Sequence, residues 1–127
     1  MVRSFAILVG LAIAGSCLAT DSRLVNYPTI ELLAAGEVDA IAEAIQAYVG
    51  TFRMTPPLSH RQLFPLLDGK NPRNQHFLFI EQFRRNSHGE VVDPWKDPYL
   101  ITMRGGRIVV ASRRIHYAKI VTLPKQK

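Results

Sequence analysis

Between residues 29 and 52 apolar side chains recur at intervals of three and four: Ile30, Leu33, Ala34, Val38, Ile41, Ile45, Tyr48, Val49 and Phe52. That spacing lays one stripe along one face of an α-helix. Thr29 is placed to cap it. Gly36 interrupts the pattern, so the main helix is expected over 37–52, with Glu37 opening it. Glu37, Asp39 and Glu43 lie toward its start, where the helix dipole favours negative charge. Arg53 lies near its end, and Pro56-Pro57 forbids continuation. Ser59 opens a second helix, 60–67, with Leu63, Leu66 and Leu67 on its apolar face. Pro65 keeps this helix short or kinked, and Asp68-Gly69 stops it. Residues 71–75 read as a loop. The run 76–83 predicts a strand, with Phe77, Phe79 and Glu81 on one side and Leu78, Ile80 and Gln82 on the other. Residues 84–89 are a polar connection. Strands are expected at 99–104 and 107–112, joined by Gly105-Gly106, a hairpin signal because both residues accept positive φ. A last strand is expected within 116–123.

Ahead of that hairpin lies Val91-Val92-Asp93-Pro94-Trp95-Lys96-Asp97-Pro98-Tyr99. Two Asp-Pro pairs flank the chain's only tryptophan, and a tyrosine follows. An Asp side chain accepts backbone N–H groups just downstream and closes an Asx-turn. Each Pro fixes its own φ and pushes the residue before it out of the α region. The segment predicts a rigid double turn between strands, with Trp95 and Tyr99 pinning it to the core. Together these elements predict an α+β fold: a long N-terminal helix packed on a small antiparallel sheet of three to four strands.

The string Asp93-Pro94-Trp95-x-x-Pro98-Tyr99 resembles the DPWGxPY signature of the type II secretion major pseudopilins and related pilin-like proteins. The upstream order is similar too: the long helix, Pro56-Pro57, the short helix, Leu67-Asp68-Gly69-Lys70-Asn71-Pro72-Arg73, the apolar run 77–80 and Gly89. The resemblance covers roughly residues 37–112. It implies a pilin-like soluble domain, a non-enzymatic role, and protein partners of a secretion or pilus-like assembly. The chain departs from the family at three points. Lys96 stands where the family usually has Gly. No Gly-Phe-Thr-Leu-Ile-Glu-like cleavage site precedes a long apolar helix. The acidic, Gly-rich calcium loop is replaced by the basic run Ser112-Arg113-Arg114-Ile115-His116-Tyr117-Ala118-Lys119. The expectation is therefore the fold without filament assembly, without calcium and without any other cofactor.

At 127 residues and 47% hydrophobic content the chain has room for one domain and one core, and its composition excludes general disorder. Arg3, the apolar stretch 5–14 and the small residues of 16–19 predict an export signal, cut after Ala19 with Cys17 and Ala19 at −3 and −1. Residues 20–127 would then be the mature domain, in the periplasm or secreted. The apolar run is about 15 residues, short of the ~20 that span a bilayer. A second reading is membrane association through the N-terminus. Ala14-Gly15-Ser16-Cys17 resembles a bacterial lipoprotein box that lacks its usual Leu, so Cys17 is a lipidation candidate; a retained N-terminus would anchor the chain as well. The net charge of +6 is modest and reads as spread over a solvated surface, with no nucleic-acid partner expected.

Few residue patterns carry chemistry. His60, His76, His88 and His116 form no HxxxH or HxH pair, and a zinc site would need ligands from four separate segments; they read as polar surface histidines. Asp93 and Asp97 offer a carboxylate pair, but each precedes a proline in a turn, where Asp is used for backbone hydrogen bonding. With Glu90 they fall short of the oxygens that calcium requires. Ser59-His60 and Ser87-His88 are adjacent only in sequence, and no G-x-S-x-G elbow or P-loop occurs. No catalytic residue is assigned, and a small periplasmic enzyme is the least supported alternative.

Overall fold

The computed structural model describes residues 29–124. Residues 1–28, which include the expected export segment and Cys17, lie outside the described residues. Helix α1 runs unbroken over Thr29–Phe52, so Gly36 does not break it, contrary to expectation. A glycine inside a helix costs only about 1 kcal/mol relative to alanine, and the fully buried Ala34 and Val38 on either side supply more than that by packing. The stripe holds from Ala34 onward: Val38, Ile41, Ile45, Tyr48 and Val49 are buried. It fails in the first turns, where Ile30 and Leu33 are 50% and 48% exposed. Arg53 closes the helix at φ 57, its N–H bonding to the Val49 carbonyl at 2.8 Å, a left-handed cap of the kind more often made by glycine.

Helix α2, His60–Leu67, forms where expected and contains Pro65. Eight residues are short enough for the missing Pro65 N–H to cost a single bond. Gly69 follows at φ +98, and a Cβ there would stand 2.7 Å from the His76 ring, so the turn requires glycine. The predicted strand 76–83 is absent. Phe77 and Leu78 both donate backbone N–H to the Leu67 carbonyl, at 2.8 and 3.1 Å. That clamps the chain to the end of α2, and it then turns through a 3-10 segment, Ile80–Gln82. The apolar alternation there reflects a wrapped connection: Leu78 enters the core while Phe79 stays 51% exposed and stacks on His76.

Five short strands follow. β1 (Arg84–Arg85), read from sequence as a polar connection, pairs antiparallel with β2 (Val91–Val92). β3 (Leu100–Arg104), β4 (Arg107–Ala111) and β5 (Ala118–Val121) form a separate antiparallel sheet in the order β3-β4-β5. The β3–β4 turn is Gly105-Gly106 with φ of 57 and 76, the two positive values that a two-residue hairpin demands. Val38, Ile41, Ile45 and Tyr48 of α1, Leu63, Phe64 and Leu67 of α2, and Val91, Tyr99, Ile101, Ile108, Val110 and Val121 of the strand regions share one core. The fold is α+β, with one long helix, a three-stranded antiparallel sheet and a two-stranded one.

Candidate functional site

The segment 93–97 is a hairpin loop with one set of bonds at each level. The Lys96 N–H bonds to the Asp93 carbonyl at 2.8 Å, and the Asp93 N–H to the Asp97 carbonyl at 2.8 Å. Asp93 Oδ1 accepts from the N–H of Trp95 and of Asp97, each at 2.9 Å. Pro94 occupies the first turn position, where its fixed φ belongs. Lys96 has φ 72, the left-handed residue that closes a three-residue hairpin loop. Pro98 then bridges Val92, and the Tyr99 N–H reaches the Val91 carbonyl at 3.2 Å. The Asx-turn expected at Asp93 is present, and the second Asp-Pro pair re-enters strand pairing.

The same turn is built twice more. Asn86 Oδ1 accepts from the N–H of His88 and of Glu90, each at 3.0 Å, ahead of Gly89 at φ +78. Asn71 Oδ1 accepts from the N–H of Arg73 and Gln75 at 3.2 and 3.1 Å, ahead of Asn74 at φ 50. In each the side-chain oxygen takes N–H groups two and four residues on, and the residue three on is left-handed. Asn, Gly and Lys fill that last position in the three loops.

The Asp93 loop alone of the three has an anchor whose side chain reaches a distant element; Asn71 Nδ2 reaches the Leu66 carbonyl at 2.7 Å, five residues back. Asp93 is fully buried, and its Oδ2 accepts from the Ser112 hydroxyl at 3.3 Å. Ser112, at the end of β4, also receives the Arg114 N–H at 3.3 Å, and Arg114 Nε donates to Asp97 Oδ2 at 2.9 Å. On the other side Arg84 Nε donates to the Asp93 carbonyl at 3.4 Å, and Arg84 Nη2 to Glu37 Oε1 at 2.6 Å. The Tyr99 hydroxyl donates to the same Glu37 oxygen at 2.5 Å. Burial, reinforced by the hydrogen bond that the phenol donates to the Glu37 carboxylate, holds the Tyr99 phenol above its ordinary ionisation range. The network thus joins α1, β1, the hairpin loop and the end of β4.

Trp95 departs from expectation. It is half-buried and is not among the side chains of the core cluster; Tyr99, 1% exposed, does the pinning. His60 also departs from the surface reading. Its Nδ1 accepts the Val91 N–H at 2.9 Å and its Nε2 donates to the Tyr99 carbonyl at 2.8 Å. The ring therefore carries its proton on Nε2 and splices α2 to the DPW segment. His76 bonds Asp68 at 3.1 Å, and His88 and His116 are exposed.

An open pocket of about 510 Å³ is lined by Ser59, His60, Arg61, His88 and Glu90. Ser59 Oγ donates to Gln62 Oε1 at 3.0 Å, and both His60 nitrogens are occupied by backbone, so His60 is not free to serve Ser59 as a base. Asp93 and Asp97 do not face a common cavity; one is buried in the turn and the other holds Arg114. Among the described residues no three of His, Cys, Asp and Glu converge as metal ligands.

Sequence reading missed Glu37, Arg84, Ser112 and His60. Glu37 did carry a signal: it sits between Ala34, Val38 and Ile41 on the apolar stripe, a position where a charge needs a buried partner. Nothing local points to Arg84 or Ser112, whose partners lie 47 and 19 residues away. Comparison with protein-family models, curated proteins and solved structures finds no match to this chain.

Proposed function

We propose that the chain is an exported, non-enzymatic structural or interaction protein of the pilin-like kind, whose DPW segment is a staple that locks helix to sheet. The observation that carries this reading is Lys96. It stands where the pseudopilin signature has Gly, and its φ of 72 is the backbone state that favours Gly. The signature's glycine therefore has a physical reason in this very loop. The α+β order, with one long helix ahead of an antiparallel sheet, supports the same reading. So does the use of Asp93, Tyr99 and His60 in internal bonds, which commits their polar atoms to holding the fold.

The test is the intact mass of the protein from fractionated cells producing the full chain. A soluble exported species beginning at Thr20 supports the proposal. A species beginning at Cys17 with acyl groups, or an uncut chain in the membrane fraction, moves the protein to an anchored component of a secretion or pilus-like machine; the Ala14-Gly15-Ser16-Cys17 run is the observation that favours that second reading. An uncut chain in the cytosol overturns both.

A further inference from the structure

Residues 98–127 hold seven of the sixteen lysines and arginines and none of the ten acidic residues. The positive charge is therefore concentrated in the segment that builds the β3-β4-β5 sheet. Arg114 and Lys119 are paired there, with Asp97 and Asp39. Arg104, Arg107 and Arg113 have no acidic partner among the described residues. Arg104 and Arg107 stand directly opposite each other at the hairpin end, a like-charge cross-strand pair that weakens a sheet.

Each edge of this sheet is covered at one end. Past β5 the Gln46 amide donates to the Thr122 carbonyl at 2.9 Å and accepts the Thr122 N–H at 2.9 Å, while the outward groups of Ala118 and Ile120 have no described partner. Ahead of β3 the Tyr99 N–H reaches the Val91 carbonyl and the Tyr99 carbonyl accepts from His60 Nε2. What sets the β3 edge apart is charge: it ends in Arg104, with Arg107 opposite. The Gly105-Gly106 hairpin makes Arg104 and Arg107 the closing hydrogen-bonded pair, so Thr102 and Leu100 also bond toward β4. The N–H and C=O of Ile101 and Met103 point outward, and no described residue takes them. The outer sheet face is mixed: Leu100, Val109, Ala111 and Ile120 share it with Thr102, Arg104 and Arg107, on the side away from the buried Ile101, Ile108, Val110 and Val121, and Ile120 is 54% exposed.

We propose that the β3 edge binds an extended acidic segment of a partner protein by strand addition. Main-chain bonds to Ile101 and Met103 would fix the register. Carboxylates of the segment would pair with Arg104 and Arg107 on the outer face, and its alternating apolar residues would lie on the other face, beside the exposed Met103. The observations favour this occupant over two others. A lipid surface offers nothing to the outward N–H and C=O groups, which are costly to leave unbonded in hydrocarbon. A second copy would meet β3 with a strand that has no acid of its own and would leave Arg104 and Arg107 without a partner.

The inference rests on the reading of the chain as an interaction protein, but the two fail separately. Loss of peptide binding leaves the export result as found, and a cytosolic chain leaves the peptide result intact. The experiment uses isotope-labelled full-length protein and three capped peptides alternating Val with Glu, Gln or Lys. It also uses phosphatidylglycerol–phosphatidylcholine vesicles. The Glu peptide should bind and slow amide exchange at Ile101 and Met103 by about tenfold or more, while amides facing β4 change little. Arg104→Gln with Arg107→Gln, both exposed, should weaken binding about tenfold without lowering Tm, and the Gln peptide should bind the original protein correspondingly less well. Met103→Pro, which removes one outward N–H at an edge position open to proline, should abolish binding; if that chain does not fold, the arginine variant decides. No binding of the Glu peptide overturns the proposal. So does equal binding of the Lys peptide, or unchanged exchange at Ile101 and Met103. Uptake by vesicles without peptide binding, or a dimer that alone protects β3, assigns the edge to a membrane or a second copy and overturns it as well.

Discussion

In the loop 86–90 the anchoring side chain is the partly exposed Asn86 and the left-handed position is Gly89; in the loop 93–97 the anchor is the fully buried Asp93 and the left-handed position is Lys96. The two share a backbone bond pattern and both accept N–H groups two and four residues on. What differs is what lies outside the turn. Asn86 Nδ2 reaches only Glu90, a partner within its own loop, at 2.9 Å. Asp93 reaches Ser112, just past β4 of the three-stranded sheet, and its carbonyl accepts from Arg84. One turn is therefore a surface connection made from residues suited to turns. The other is an anchor that carries two local liabilities, a buried carboxylate and a non-glycine left-handed residue, and holds them in place by tertiary bonds.

Truncating the two anchors gives the widest separation. Asp93→Ala leaves the Trp95 and Asp97 N–H groups and the Ser112 hydroxyl without their acceptor, and should lower stability by about 3 kcal/mol. Asn86→Ala, with water available to its loop, should cost about 1 kcal/mol. Urea unfolding midpoints measure both. Equal losses would break the comparison, because they would mean that Asp93 contributes only its turn. Asp93→Asn sharpens it: the amide keeps the Oδ1 bonds and can donate to Ser112 Oγ, so most of the loss should be recovered if hydrogen bonding rather than charge holds the loop.

Tyr99→Phe tests the network on which the Asp93 loop rests. It removes the hydroxyl from Glu37, which keeps Arg84, and should cost about 2 kcal/mol, the range for a bond to a charged group. It also changes the pH dependence. The phenol is held protonated in the folded state, while in the unfolded chain it ionises near 10. Above that pH the unfolded state binds fewer protons than the folded one, so stability falls as pH rises. In Tyr99→Phe that part of the alkaline loss should disappear, giving a shallower decline between about pH 10 and 11 in a series of urea melts. An unchanged slope would mean that Tyr99 is not the group responsible.

Much of this arrangement is written locally. The α1 stripe from Ala34, the short α2, the Gly105-Gly106 hairpin and the Asx-turn at Asp93 all follow from periodicity or turn chemistry within a few residues. The failures share one physical cause. Gly36, the alternation at 76–83 and the exposed Ile30 and Leu33 were read from local preference, and tertiary contacts or their absence decided each. The network around Asp93 was legible at one end only, since its turn bonds are local while Glu37, Arg84 and Ser112 meet it through the fold. Charge was legible but diluted: a whole-chain value of +6 hides a segment after Asp97 with no acid in it.

The finest test exchanges the left-handed residues. A side chain added at Gly89 meets Arg61 Cγ only at 3.9 Å, an ordinary contact, so Gly89→Ala introduces backbone strain without a clash. It should cost about 1 kcal/mol. Lys96→Gly removes the same strain from the other loop. Part of that gain is cancelled because glycine gives the unfolded chain more freedom to lose, so the net rise should be about 0.5 kcal/mol. Lys96→Ala separates the charge from the backbone: it keeps the strained φ and should leave stability within about 0.5 kcal/mol of the original, as expected for an exposed position. The informative quantity is the difference in stability between Lys96→Gly and Lys96→Ala, set against the difference between the original protein and Gly89→Ala. Each compares glycine with alanine at one left-handed position. If the two match, the turns are energetically one device, and the Asp93 loop differs from the Asn86 loop only by its tertiary bonds. If the gain at position 96 is absent, the hold of Ser112 and Arg84 on Asp93 has already relaxed the strain at Lys96, and the anchoring reaches further into the loop than its hydrogen bonds.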